Sequence, residues 1–180
     1  MKKIFLSLIS ASLISIPALS SEKPKTAMKE QKMKEQKKSE LPSGKGVVVY
    51  KVDGDPADIM IALKGNLEAS QIVVVTATDP TAPLVNNISL FPDCKKLKVD
   101  YIQNFLVTSI STLYKVYTTD PNAMALSPLV ITVYQYEGDD KTYIVRTRPS
   151  LLLDKTKYPD AKKAIEELEN RIDKAIKQLM

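Results

Sequence analysis

The chain has 180 residues, with 26 Lys or Arg against 21 Asp or Glu, one cysteine and no histidine. Without imidazole, Ser-His-Asp and Cys-His catalysis, ordinary haem ligation and almost every zinc site are excluded. The single thiol, Cys94, allows neither an intrachain disulfide nor a CxxC redox pair, so the fold must hold by packing.

The first residues, Met1-Lys2-Lys3, precede an apolar run from Ile4 to Ile16 and then Pro17-Ala18-Leu19-Ser20. A basic start, an apolar core of roughly a dozen residues and a small-x-small end describe a secretory signal peptide, residues 1–20, cut after Ser20. The run is shorter than the about 20 residues of a membrane span, so no stable span is expected after cleavage. The expected location is periplasmic or secreted.

Residues 21–46 contain a tandem repeat, Met28-Lys-Glu-Gln-Lys32 and Met33-Lys-Glu-Gln-Lys37. A five-residue step turns a helix by about 140°, so the methionines share no stripe, and the segment reads as a disordered linker. It carries eight lysines against four glutamates, whereas residues 47–180 carry sixteen Lys or Arg against seventeen Asp or Glu. The basic surplus therefore lies outside the globular part, and nucleic acid is not an expected partner.

One domain, residues 47–180, follows. Val47 to Val52 predicts a strand. Asp53-Gly54-Asp55-Pro56 predicts a turn into a helix, with Asp55 as N-cap, Pro56 at its first position and Ile59, Met60, Leu63 and Leu67 inward. Ile72 to Thr78 is a second strand, apolar enough to read as central. Thr81 to Asp100 is broken by Pro83 and Pro92 and shows only a turn signal at Asn86-Asn87. A third strand is expected from Lys96 to Gln103 or Phe105. Asn104 then caps a helix with Leu106, Val107, Ile110, Leu113, Tyr114 and Tyr117 on one stripe, although Val107, Thr108, Ile110, Thr112 and Val116 are β-branched. Asp120-Pro121-Asn122 stops it.

Leu129 to Arg148 predicts a β-hairpin around Glu137 to Lys141. With Asp139-Asp140 as the turn, Tyr136 faces Tyr143, Tyr134 faces Val145 and Thr132 faces Thr147. The other face carries Ile131, Val133, Gln135, Ile144, Arg146 and Arg148. The final helix, residues 159–179, repeats Ala161, Ile165, Leu168, Ile172, Ala175 and Leu179 at coiled-coil spacing, for packing on its own sheet or for dimerisation. The order β-α-β-β-α-β-β-α implies an α+β fold, an antiparallel or mixed sheet covered by helices on one face.

Little in these residues carries chemistry. Asp53 with Asp55 and Asp139 with Asp140 sit where turns and caps use aspartate. Glu137 to Asp140 lacks the ligand number of a calcium loop, and no cofactor is expected. Arg146 and Arg148 could hold an anion, or serve as solvated charges that discourage strand aggregation. Asn104, Ile110, Tyr114, Tyr117, Met124, Leu126, Tyr134 and Tyr136 are the candidate lining of a pocket between hairpin and second helix; ordinary packing accounts for the same residues.

Val48-Val49-Tyr50-Lys51-Val52-Asp53-Gly54 before a helix, Tyr101-Ile102-Gln103-Asn104-Phe105, Asp120-Pro121, Pro128 before Val130 to Tyr134, and Lys141-Thr142-Tyr143-Ile144 together resemble the bacterial domain-of-unknown-function family 302. The resemblance covers most of Val47 to Leu153 and implies a small α+β domain that associates as a homodimer, with no assigned activity. Where that family often has Cys-Asn, this chain has Gln103-Asn104, so no thiol carries over. The expected function is an exported non-enzymatic binding module for a small apolar or amphipathic molecule or a partner protein. The alternative is an envelope interaction protein acting through homodimerisation; a carboxylate-based enzyme stands last.

Overall fold

The computed structural model describes residues 46–93 and 98–180. The segments read as an export signal and as a linker, up to residue 45 with its repeat, and Cys94 lie outside the described residues. Among the described residues, eleven elements include five strands, β1 (Val47–Asp53), β2 (Val73–Thr78), β3 (Val99–Thr108), β4 (Leu129–Tyr136) and β5 (Lys141–Thr147). Four are α-helices: α1 (Pro56–Ala69), α2 (Ala82–Val85), α3 (Ile110–Thr119) and α4 (Pro159–Lys177). Two 3-10 segments, Pro121–Leu126 and Pro149–Leu153, flank the hairpin.

The strands form one sheet in the order β1-β5-β4-β3-β2, with every neighbouring pair antiparallel. Alternation then sorts the side chains. Val52, Ile144, Ile131, Val133, Phe105 and Val107 pack beneath α1 and α4 in one apolar core with Leu63, Leu67, Leu168 and Ile172. A second cluster joins Val116 of α3 to Ala161, Ala164 and Ile165 of α4. The α+β class and the one-sided helical layer are as the sequence predicts. The periodic stripe of α4 is consumed inside the molecule, with Ile165, Leu168, Ile172 and Ala175 fully buried, so it leaves no seam for a second helix.

The caps of α1 follow from its sequence. Asp55 accepts the Ala57 N–H at 2.8 Å, and Pro56 occupies the first turn. At the other end Gln71 adopts φ 58°, while the Ile72 N–H reaches the Leu67 carbonyl and the Gln71 N–H that of Glu68, both at 2.9 Å. This is a Schellman closure, and the buried pair Leu67 and Ile72 supplies its apolar contact.

Three expectations change. β2 is an edge strand, not a central one: only Ile72 of its apolar run is buried, while Val73 and Val75 are exposed. β3 continues through Asn104 to Thr108 and the helix begins at Ile110, because the β-branched stretch takes the extended form that a helix would penalise. The hairpin closes two residues earlier than an Asp-Asp turn allows, pairing Tyr134 with Tyr143 and Thr132 with Val145. Gly138, at φ +70°, belongs to the loop, and the two-residue shift leaves every side chain on its expected face.

Candidate functional site

The concavity of most interest arises from unequal strands. β2 ends at Thr78, which pairs with Asn104, so Val99 to Gln103 of the longer β3 run past it with no strand on that side among the described residues. The chain leaving β2 folds back beside this stretch. Asp79 Oδ1 accepts both the N–H and the hydroxyl of Thr81, each at 2.7 Å, and starts the turn. Thr81 carbonyl bonds from Leu84 and Val85 (2.8 and 3.0 Å) close α2, and the Asn87 amide donates to Pro83 at 2.8 Å. Between this coil and β3 lies a pocket of about 740 Å³, with Leu84, Val85, Ile88, Val99 and Ile102 as apolar lining and Asp79, Thr81, Asp100, Tyr101 and Gln103 as polar lining. Its size and mixture suit a small ligand.

Two backbone irregularities shape the mouth. The β3–β4 register shifts between Val99 and Tyr101, and Lys98 sits at φ 47°, its carbonyl accepting the Glu137 N–H at 2.7 Å. A bulge and a left-handed residue side by side re-aim the start of β3. Burial, reinforced by the negative field of Asp55, raises the Tyr101 phenol, which keeps its proton. The hydrogen bonds from Thr81 lower the Asp79 carboxyl, which stays ionised.

The eight residues expected to line a pocket do not share one. Asn104, Tyr134 and Tyr136 stand on the sheet face turned away from the helices, where Asn104 accepts the Thr132 hydroxyl at 2.8 Å. Tyr134 stacks on Tyr143 at 5.0 Å and meets Tyr136 edge-on at 5.3 Å, an aromatic cluster bridging the hairpin. Burial and then the neighbouring tyrosines push the Tyr134 phenol up. Ile110 and Tyr114 border a more open groove of about 780 Å³ with Gln71, Val73 and Val74. Tyr117 is exposed beside them, while Met124 and Leu126 pack against the second cluster, with Leu126 also at the edge of a third concavity of about 350 Å³. The scatter follows from β3 claiming residues 104–108, which turns the helical stripe outward.

Arg146 also departs from expectation. It is fully buried rather than a solvated edge charge, whereas Arg148 is exposed. Its Nε donates to Asp173 Oδ1 at 2.6 Å, a terminal nitrogen pairs with the same oxygen, and the other donates to the Thr147 carbonyl at 2.9 Å. Tyr50 donates its hydroxyl to Asp173 as well, and burial with this bond pushes the phenol up to about 12. A turn further back on α4, Glu169 accepts the Ser150 N–H and hydroxyl, both at 2.9 Å. These groups satisfy one another and fix α4 to the sheet. Among the described residues, no three Cys, Asp or Glu gather as a metal ligand set, and no helix is long and apolar enough to cross a membrane.

The model of the domain of unknown function DUF302 matches residues 48–179. The chain belongs to the DUF302 family. A DUF302 crystal structure, that of an uncharacterized conserved protein from Bacillus stearothermophilus, superposes with a TM-score of 0.62 at 16% identity, covering 76% of this chain and 100% of that one. At that identity the likeness concerns the fold alone. No curated protein matches the chain. The pocket beside β3 thus lies within the DUF302 domain. Sequence reasoning missed it, and the available signal was apolar Leu84, Val85, Ile88, Leu90 and Phe91 between prolines, in a stretch where a plain surface loop would be polar.

Proposed function

We propose that this DUF302 protein is an exported, non-enzymatic binding module that takes a small apolar or amphipathic molecule in the pocket between β3 and the coil 79–88. The observation that carries the reading is a mixed-lining concavity of about 740 Å³ beside β3 residues that extend past the end of β2. The absence of histidine and of any catalytic motif supports binding over turnover. The export signal read in residues 1–20 would place the module outside the cytoplasm, and the exported product would begin at Ser21.

Titration of the full exported chain with the neutral fluorophore N-phenyl-1-naphthylamine tests it. Saturable enhancement is expected, and a Leu84→Asp, Ile88→Asp double variant should lose it. Non-saturable binding, or binding indifferent to those substitutions, would sink the reading.

A second reading, an interaction protein acting as a homodimer, draws support from the exposed stripe Ile110, Tyr114 and Tyr117, which are 75%, 71% and 67% exposed. Beside the first two runs β2, an edge strand without a charged residue. Solution mass across a dilution series decides it, with a concentration-dependent dimer that Tyr114→Glu abolishes as the supporting result. A monomer throughout would exclude it.

A further inference from the structure

The pocket beside β3 has a charge as well as a shape. Among the described residues, its ionisable lining is Asp79, Asp100 and the Tyr101 phenol, without lysine or arginine. Asp79 is held as a carboxylate by the two hydrogen bonds from Thr81. Tyr101 remains a neutral phenol whose ring faces are electron-rich, and Asp55 adds a further negative field at that residue. The opposite wall, Leu84, Val85 and Ile88, is aliphatic.

An anionic amphiphile would bring its head toward two carboxylates, with no cation among the described lining residues to receive it. A neutral one would leave that field unanswered. An ammonium-type head beside Asp79, Asp100 and the Tyr101 ring would be met by both ion pairing and the ring quadrupole. Its hydrocarbon portion would meet Leu84, Val85 and Ile88. Resting on the binding-module reading above, we propose that the ligand of this pocket is a cationic amphiphile, an apolar body bearing an amine or quaternary ammonium head. Both aspartates are exposed, so the preference is modest and screened by salt, about five- to tenfold at low ionic strength.

Three probes with the same twelve-carbon chain separate the possibilities, each titrated calorimetrically into the full exported chain below its micelle concentration: dodecyltrimethylammonium, dodecyldimethylamine oxide and laurate. The expected order is ammonium tightest, amine oxide next and laurate weakest, with the first gap narrowing as salt is added. Asp79→Asn with Asp100→Asn should bring the ammonium down to the amine oxide's affinity. Asparagine preserves the turn acceptor at residue 79, and an unchanged melting temperature checks the fold. Laurate binding as tightly as the ammonium, or a cation preference that survives both substitutions, would overturn the proposal while leaving the binding module standing. No binding of any probe would overturn the module reading itself, and this one with it.

Discussion

At the scale of single residues, the α4 carboxylate Asp173 receives both the Arg146 guanidinium and the Tyr50 hydroxyl. A buried guanidinium tolerates its site only while its partners are in place. Asp173→Ala should therefore cost about 3–5 kcal/mol in urea denaturation, and pairing it with Arg146→Met should recover most of that loss. A single variant within about 1 kcal/mol of the parent would count against the cluster's importance. Tyr50 adds a pH signature. Its folded value, about 12, lies above the 10.0 of an unperturbed phenol. Below pH 10 both folded and unfolded chains hold the proton and the contribution is whole. As pH rises toward the folded value, the unfolded chain alone ionises and stability falls. Tyr50→Phe should cost about 1 kcal/mol at neutral pH and flatten this alkaline decline, read as melting temperature between pH 9 and 11. An identical slope in parent and variant would argue that Tyr50 ionises freely. Part of this cluster was legible: the hairpin's alternation places Arg146 on the face of Ile131, Val133 and Ile144. Its partner was not, because Asp173 lies on a helix whose spacing marks the apolar stripe and says nothing of what the residues flanking it meet.

The helices divide into one that the core consumes and one that it leaves bare. Ile172 of α4 is completely buried, and Ile172→Ala should cost about 2–5 kcal/mol. Tyr114 of α3 is an equally apolar position by spacing, yet Tyr114→Ser should fall within about 0.5 kcal/mol of the parent, because its ring already stands in solvent. Denaturant midpoints of the two variants measure the contrast, and comparable losses would contradict the placement of α3. The same contrast explains what could be read in advance. In α1 periodicity, cap and composition agree, and in α4 periodicity, the first-turn proline and composition agree, so both were legible nearly to the residue. Around Asn104 to Thr108 periodicity and β-branching disagreed, and pairing with β2 and β4 on either side settled the matter in favour of strand. The hairpin's faces were legible because side-chain alternation survives a two-residue shift. Its register was not, because a loop containing left-handed Gly138 competes with a two-residue turn at little cost.

Across the whole molecule, the determinants of folding and of the proposed binding lie largely apart, with Tyr101 shared, since it packs against the core and lines the pocket. The core lies between the sheet and α1 with α4, whereas the pocket lies past the last β2–β3 pair, in a coil whose Leu84, Val85 and Ile88 are partly exposed and outside that core. Leu84→Ser with Ile88→Ser should accordingly leave the melting temperature nearly unchanged while weakening uptake of an apolar probe; a large thermal loss would show the coil to be part of the core. This surface was the least legible part of the chain, since neither 3.6 nor 2 periodicity describes a segment ordered by turns and side-chain-to-backbone hydrogen bonds. The five-residue extension of β3 past β2 on that edge has a consequence for descent as well as for contact. Any change in the length or composition of the connection from Asp79 onward falls beyond the hydrogen-bonded ladder, so selection can rewrite what the domain meets without renegotiating how it folds.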